Sequence, residues 1–139
     1  MYIVIGASSF IGVYTVDEFL KQGCEVTVTG RNNKFREHYE KLGVPYINLD
    51  LANKADFEKL PKENVEGVIL LAGLLPANAQ VDLDVDENAA DYFEINTIGT
   101  INVLEYCRKN GIKRVISNCS YADVRGAWGK GAITEDEPR

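Results

Sequence analysis

The feature that most constrains the fold is the apolar run from Val68 to Ala72, in which no polar residue alternates with the apolar ones. A strand of this composition is covered on both faces, as central strands of a parallel sheet are. The run belongs to a predicted strand at 65–72. Shorter runs rich in apolar and β-branched residues predict four more strands, at 2–5, 26–29, 44–49 and 114–120.

Segments with a helical apolar period separate these strands. They predict helices at 11–22, 34–42, 56–60 and 88–110. Gly23, Gly43 and Gly111 follow three of them, where glycine commonly ends a helix. The predicted inward positions of the first two helices are Gly12, Val16, Phe19 and Leu20, then Phe35, Tyr39 and Leu42. Regular alternation of strand and helix predicts one α/β domain over residues 1–139, a doubly wound parallel sheet with right-handed crossovers.

Net charge and residue composition limit the classes of binding partner and the cellular compartment that we expect for this protein. The formal net charge is -6 and the sequence pI about 4.8, which argues against nucleic acid or an anionic membrane as the main partner. Three cysteines without a CxxC pair indicate a reduced, cytoplasmic protein, and the single histidine leaves no histidine-based metal site. No apolar run approaches the roughly 20 residues that span a bilayer, and we expect no signal peptide.

The segment Gly6-Ala7-Ser8-Ser9-Phe10-Ile11-Gly12 joins the first strand to the first helix, and we call it the glycine loop. Gly6 permits a sharp turn out of the strand, and Gly12 permits close packing of the helix. The first turn of a helix presents unpaired N–H groups and a partial positive charge, which together bind phosphate. The loop therefore predicts a site for the pyrophosphate of a dinucleotide. The alternative is an ordinary strand-to-helix turn that contains two glycines.

The glycine loop resembles the Gly-x-x-Gly-x-x-Gly motif of the extended short-chain dehydrogenases/reductases, the NAD(P)-dependent epimerase/dehydratase family. Ser9 stands at that family's middle glycine, and its hydroxyl is a donor for a phosphate. A second segment, Asn96-Thr97-Ile98-Gly99-Thr100-Ile101-Asn102, resembles the family's Asn-x-x-Gly-Thr-x-Asn helix. The resemblance covers essentially the whole chain. It implies a Rossmann-like sheet of strand order 3-2-1-4-5 that lacks the family's last strands and substrate lobe.

The resemblance also implies which residues contact the cofactor. In NAD-binding members an acidic residue ends the second strand, whereas this chain has Thr29-Gly30-Arg31 there. Gly30 leaves space, and Arg31 is suited to pair with a 2′-phosphate, so we expect NADP, with NAD as the alternative. Arg31 as a solvated loop charge is the competing interpretation. The expected contacts are Gly6, Ser8, Ser9, Phe10, Ile11, Gly12, Arg31, Asp50, Leu51, Leu71, Ala72, Gly73 and Asn96.

Three of these positions have specific expected roles. Asp50-Leu51 resembles the family's pair beside the adenine, although Asp50 is nearly as well explained as a turn or helix-cap residue. Leu71-Ala72-Gly73 resembles the family's segment that lines the cofactor after the fourth strand. For Asn96 and Gly99 we expect structural roles rather than direct catalysis: a bond back to the sheet or a held water for Asn96, and close packing for Gly99.

The resemblance places the catalytic serine at the end of the fifth strand, at Ser120, where its hydroxyl would hydrogen-bond the reacting oxygen of the substrate. The family's acid/base is a tyrosine followed four residues later by a lysine. None of the seven tyrosines here has a lysine at that spacing. We therefore expect this chain to be the N-terminal part of a longer enzyme and to be inactive alone.

Two classes of function remain open. The first is an NAD(P)-dependent oxidoreductase, epimerase or dehydratase that transfers hydride to or from a small carbinol or carbonyl substrate, by resemblance often a nucleotide sugar. The second is a non-catalytic NADP-binding sensor or scaffold, or an inactive fragment. The fifth strand would lie at an unpaired apolar edge, which favours dimerisation, so a homodimer is one assembly open to the chain.

Overall fold

The computed structural model describes residues 1–74 and 89–118. Five parallel strands form one sheet: β1 (Tyr2–Ile5), β2 (Val26–Gly30), β3 (Tyr46–Asn48), β4 (Gly67–Leu70) and β5 (Val115–Ser117). Their order in the sheet is β3-β2-β1-β4-β5, which confirms the predicted Rossmann-like topology. After β3 the chain crosses back over the sheet, and β4 is added on the other side of β1. In open parallel sheets such a reversal leaves a crevice at the carboxyl ends of the strands.

Register places the ends of the inner strands side by side. Ile5 of β1 lies opposite Thr29 of β2 and Leu70 of β4, so the three strands leave the sheet at one level. The loops that follow these strands are the glycine loop, the β2–α2 loop of residues 31–32, and the segment 71–74. The fold therefore brings together three of the segments that were predicted to contact a cofactor.

Helices cover both faces of the sheet. On one face lie α1 (Phe10–Lys21) and α2 (Asn33–Lys41), which pack on a core that includes Val4, Val28 and Ile69. The other face packs against a 3₁₀ helix (Lys54–Lys59) and α4 (Gly99–Lys109), which comes after the short helix α3 (Ala89–Tyr92). Burial of both faces accounts for the apolar composition of the central strands.

Local chemistry sets the helix ends. Ser9, Asn32 and Asn53 each accept a hydrogen bond from a backbone N–H in the first turn of the helix that follows. After α1 and α2, Gly23 and Gly43 adopt φ of +71°, the left-handed conformation that glycine adopts without a Cβ penalty. The predicted glycine caps are confirmed at both positions.

Several boundaries differ from the sequence prediction. β3 is shorter than 44–49, because Pro45 has no N–H and the N–H of Val44 bonds the carbonyl of Tyr39. Leu42, predicted to face inward, lies just beyond the last residue of α2 and is 49% exposed. The segment predicted as a helix at 56–60 is the 3₁₀ helix, which starts earlier because Asn53 caps it.

The predicted long helix at 88–110 is three consecutive segments. Its described part runs as α3 (Ala89–Tyr92), a π segment (Phe93–Ile98) and α4. A π segment inserts an extra residue per turn, and such segments frequently occur at functional sites. The position of this one beside the strand ends makes it part of the site described below.

The edge strand β5 pairs only with β4 within the described residues, and its Ile116 side chain is 55% exposed. An open apolar edge of this kind keeps homodimerisation as a prediction. Within 1–74 and 89–118, no helix is long and apolar enough to cross a membrane.

Candidate functional site

The glycine loop is held against the sheet by backbone contacts that only glycine permits. Gly6 has φ of +91°, and a Cβ built on it would lie 2.5 Å from the backbone nitrogen of Ala72. A Cβ on Gly12 would lie 2.8 Å from the Cα of Ala7. Real Cβ atoms do not approach backbone that closely. Gly6 thus lets β1 and the end of β4 meet, and Gly12 lets α1 pack on the loop itself.

Some N–H groups of the loop already have acceptors. The N–H groups of Gly6 and Ala7 both donate to the carbonyl of Thr29, at 3.2 and 3.0 Å. The N–H of Gly12 donates to Oγ of Ser9 at 3.0 Å, and that of Ser9 donates to the Gly6 carbonyl. Ser9 is therefore the N-cap of α1, a role the sequence interpretation did not assign, and its hydroxyl hydrogen remains free to donate.

Other N–H groups of the loop have no acceptor. Within the described part of the chain, those of Ser8, Phe10 and Ile11 make no hydrogen bond. Phe10 and Ile11 open α1, where the helix dipole places partial positive charge. Three donors in one turn at a helix N-terminus match the needs of a phosphate group.

The donors border a cleft of about 550 Å³ across the carboxyl ends of the strands. This volume lies within the usual range for small-molecule sites, roughly 300–1,000 Å³. All of the predicted contact residues line the cleft except Gly12, which packs against the backbone of Ala7. The predicted segments, which lie far apart in the chain, therefore form one continuous surface.

Asn96, in the π segment, connects that segment to the chain after β4. Its side-chain oxygen accepts from the N–H of Leu74 at 2.7 Å, and its side-chain nitrogen donates to the Leu74 carbonyl at 2.9 Å. Asn96 therefore bonds the segment that follows β4, which ends at Leu70, rather than the sheet itself. It fixes residues 71–74 along one wall of the cleft.

Two further residues of the 96–102 motif hold Leu51, which follows β3. A Cβ on Gly99 would lie 2.8 Å from the Cβ of Leu51, so the close packing expected of Gly99 is present. The side-chain nitrogen of buried Asn102 donates to the Leu51 carbonyl at 2.8 Å. The motif thus positions the loops after β3 and β4 together.

Asp50 forms part of a turn. One carboxylate oxygen accepts from the N–H of Ala52 at 3.0 Å, while its own N–H donates to Asp56 at 2.9 Å. This geometry supports the turn interpretation. The other carboxylate oxygen has no partner among the described residues, and Asp50 still lines the cleft.

The space predicted beside Gly30 is occupied. The hydroxyl of Tyr46 lies 2.5 Å from where a Gly30 Cβ would be, and Oγ of Ser8 lies 3.1 Å from the same point. The interpretation of Gly30 as open room for a phosphate is therefore wrong, because a tyrosine from β3 fills it. Exposed Arg31 next to it lines the cleft.

The sequence interpretation missed Thr29, which precedes the last residue of β2, and cleft residues that end strands, such as Ile5 and Ser117. Thr29 is buried, and its hydroxyl has no hydrogen-bond partner in the described structure. A buried hydroxyl without a partner is costly unless a ligand or water satisfies it. Their position at the carboxyl edge of the predicted parallel sheet is the signal that could have identified them.

Ser120 lies outside the described residues, so the structure does not place the predicted catalytic serine. No cluster of metal-ligating side chains is present within 1–74 and 89–118. Cys24 and Cys107 are free thiols, and burial raises the pKa of Cys107 to about 11. Such a thiol is protonated and unreactive near neutral pH.

Known proteins are similar to this chain in sequence and in fold. UDP-glucose 4-epimerase of Pisum sativum is 32% identical over 146 residues, covering 96% of this chain and 40% of that protein. The Thermus thermophilus UDP-glucose 4-epimerase complex with NAD has a TM-score of 0.79 at 29% identity, covering 99% of this chain and 44% of that one. Yeast methylglyoxal/isovaleraldehyde reductase Gre2 complexed with NADPH shares the fold, with a TM-score of 0.74 at 21% identity over 88% of this chain and 38% of that one.

The chain spans about two fifths of the length of these proteins. A family model, that of the NAD dependent epimerase/dehydratase family, matches residues 2–138. Sequence motif, strand order and relatives agree, and the chain belongs to the NAD-dependent epimerase/dehydratase family.

Proposed function

We propose that this chain binds a nicotinamide dinucleotide with the pyrophosphate against the start of α1. The observation that carries the proposal is the set of N–H groups of Ser8, Phe10 and Ile11, which border the cleft and have no acceptor among the described residues. Local amide donors bind phosphate even in a protein of net charge -6, because their partial charges act at contact distance. The Thermus thermophilus relative, at 29% identity, was solved with NAD, which supports the same class of cofactor.

We further propose NADP as the preferred form. Arg31 is exposed at the cleft, immediately after β2, where NAD-binding relatives of the fold carry an acidic residue. A guanidinium pairs with a phosphate through two parallel N–H bonds, and no carboxylate ends β2 to repel it. Asp50 and Leu51 would then lie beside the adenine.

The remaining part of the cleft would hold the nicotinamide, between residues 71–73 and Asn96. When bound, that ring supplies a hydride donor or acceptor. The proposed reaction of the whole protein is an oxidation–reduction, epimerisation or dehydration at a carbinol or carbonyl, with a nucleotide sugar as substrate. The name of the pea relative, UDP-glucose 4-epimerase, supports that substrate class. Ser120 is proposed to hydrogen-bond the substrate oxygen.

A second candidate is cofactor binding without turnover by this chain. It is favoured by one observation, the absence from the sequence of any tyrosine followed four residues later by lysine. In the enzyme this pair would move the proton that accompanies hydride transfer. The two candidates share the binding site and differ only in the chemistry.

Calorimetric titration of the 139-residue chain tests the shared claim. We expect one molecule of NADPH to bind per chain, more tightly than NADH, because only NADPH has a 2′-phosphate that can pair with Arg31. The control is adenosine, which lacks the pyrophosphate and should bind far more weakly. Absence of binding at about millimolar NADPH, an affinity weaker than roughly −4 kcal/mol, would contradict the proposal.

The choice between NADP and NAD is tested by Arg31→Ala. A charge-assisted bidentate pair contributes about 1.5–3 kcal/mol, so we expect NADPH affinity to fall by roughly 10- to 100-fold and NADH affinity to stay within about 2-fold. Arg108→Ala is the matched control, since it removes the same charge from an exposed residue outside the cleft. An equal loss of both affinities would mean that Arg31 does not contact a 2′-phosphate.

A further inference from the structure

Two buried tyrosines lie under the candidate site, and their hydroxyls bond two of its loops, the glycine loop and the β2–α2 loop. Tyr39 of α2 is fully buried, and its hydroxyl donates to the carbonyl of Ala7 in the glycine loop at 2.8 Å. Tyr46 of β3 donates to the carbonyl of Asn32 at 3.1 Å and accepts from the N–H of Asn32 at 3.2 Å. The two rings are stacked, with centroids 6.2 Å apart and an interplanar angle of 22°.

Each hydroxyl links segments that are distant in sequence. Tyr39 is 32 residues from Ala7, and Tyr46 is 14 residues from Asn32. Burial raises the pKa of Tyr39 to about 12 and also raises the pKa of Tyr46, although the Asn32 hydrogen bond and Arg36 oppose the second shift. Both hydroxyls are therefore protonated and able to donate across the physiological pH range.

Gly30 makes this arrangement possible. Because it has no side chain, the Tyr46 hydroxyl can lie 2.5 Å from the position that a Gly30 Cβ would take, and Oγ of Ser8 in the glycine loop lies 3.1 Å from the same position. The guanidinium of Arg36 lies 5.3 Å from the centre of the Tyr46 ring, which further restrains that ring. The glycine loop and the β2–α2 loop are thus held relative to one another through one stacked pair.

We propose that Tyr39 and Tyr46 are positioning residues for the cofactor, and that Tyr46 sets the preference for the 2′-phosphate by fixing the loop that carries Arg31. The inference rests on the proposed function. Tyr39 supports the loop that would contact the pyrophosphate, a group common to both dinucleotides. Tyr46 holds Asn32, the residue after Arg31, and so governs a contact that only NADP makes.

The test compares Tyr46→Phe with Tyr39→Phe, since each removes one buried hydroxyl and keeps the stacked ring. For Tyr46→Phe we expect NADPH affinity to fall about 10-fold and NADH affinity less than about 3-fold, on the scale of one lost buried hydrogen bond. For Tyr39→Phe we expect both affinities to fall by the same factor. Gly30→Ala displaces the Tyr46 hydroxyl sterically and should change the NADPH-to-NADH ratio as Tyr46→Phe does.

A second measurement needs no cofactor. Amide hydrogen exchange followed by NMR should show faster exchange at Asn32 in Tyr46→Phe and unchanged exchange there in Tyr39→Phe, with the amide of Val28 in β2 as internal reference. Unchanged exchange at Asn32 would overturn the positioning role of Tyr46. Faster exchange with an unaltered NADPH-to-NADH ratio would overturn its role in specificity. If the unsubstituted chain binds neither dinucleotide, the proposed function fails, and the exchange data still decide whether Tyr46 holds the loop.

Discussion

Replacing Gly6 with alanine is expected to destabilise the domain by about 2–5 kcal/mol. Two penalties add. At φ of +91° an alanine Cβ is strained by roughly 1–2 kcal/mol. The added Cβ would also lie 2.5 Å from the nitrogen and 2.8 Å from the Cα of Ala72, so the ends of β1 and β4 would have to separate.

A matched control separates strain from collision. Gly23 has φ of +71°, and no atom lies within 4 Å of the position that its Cβ would take, so Gly23→Ala carries the conformational penalty alone. We expect Gly23→Ala to cost about 1–2 kcal/mol in urea unfolding monitored by circular dichroism. If Gly6→Ala costs no more than Gly23→Ala, the close approach of β1 to β4 at Ala72 is not as described. The same collision would also abolish the proposed cofactor binding, because it moves the glycine loop.

The strands and the site were predictable from sequence for a common reason. Apolar composition marks strands covered on both faces, and the functional segments follow those strands directly. Gly6, Arg31 and Leu71 each come just after a strand, so a parallel sheet must bring them to one edge. These residues are far apart in the sequence, and the strand order brings them together at the cleft.

Other details depend on contacts that no local pattern encodes. In the sequence, Gly30 predicts open space beside the backbone. The hydroxyl of Tyr46, 16 residues later in the chain, occupies that space. The π segment at 93–98 has the apolar period of an ordinary helix, and its Asn96 pairs with Leu74 along one wall of the cleft. Both features are decided by side chains that meet only once the sheet has formed.

The domain is also expected to lose stability steeply above pH 9, because buried tyrosine and cysteine groups, three of them with large pKa shifts, hold their protons more tightly when folded. Burial raises the pKa of Tyr39 and Tyr106 to about 12 and that of Cys107 to about 11. In the unfolded chain these groups ionise near pH 10 for tyrosine and pH 8.5 for cysteine. A raised folded pKa stabilises the protein fully below the unfolded value, and this stabilisation is lost as pH rises toward the folded value.

Each such group removes about 1.4 kcal/mol of unfolding free energy per pH unit between its two pKa values. Urea unfolding at pH 8, 10 and 11 should therefore give a falling free energy, with the steepest fall above pH 10, where all three groups contribute. At neutral pH, Tyr39→Phe is expected to cost about 1–3 kcal/mol because it leaves the Ala7 carbonyl buried without its donor. Its deficit should shrink as pH approaches 12, since the variant has no hydroxyl at this position to ionise on unfolding. Parallel pH profiles for the two proteins would show that the Tyr39 hydroxyl is not buried against the glycine loop, and the link between the core and the site would be lost with it.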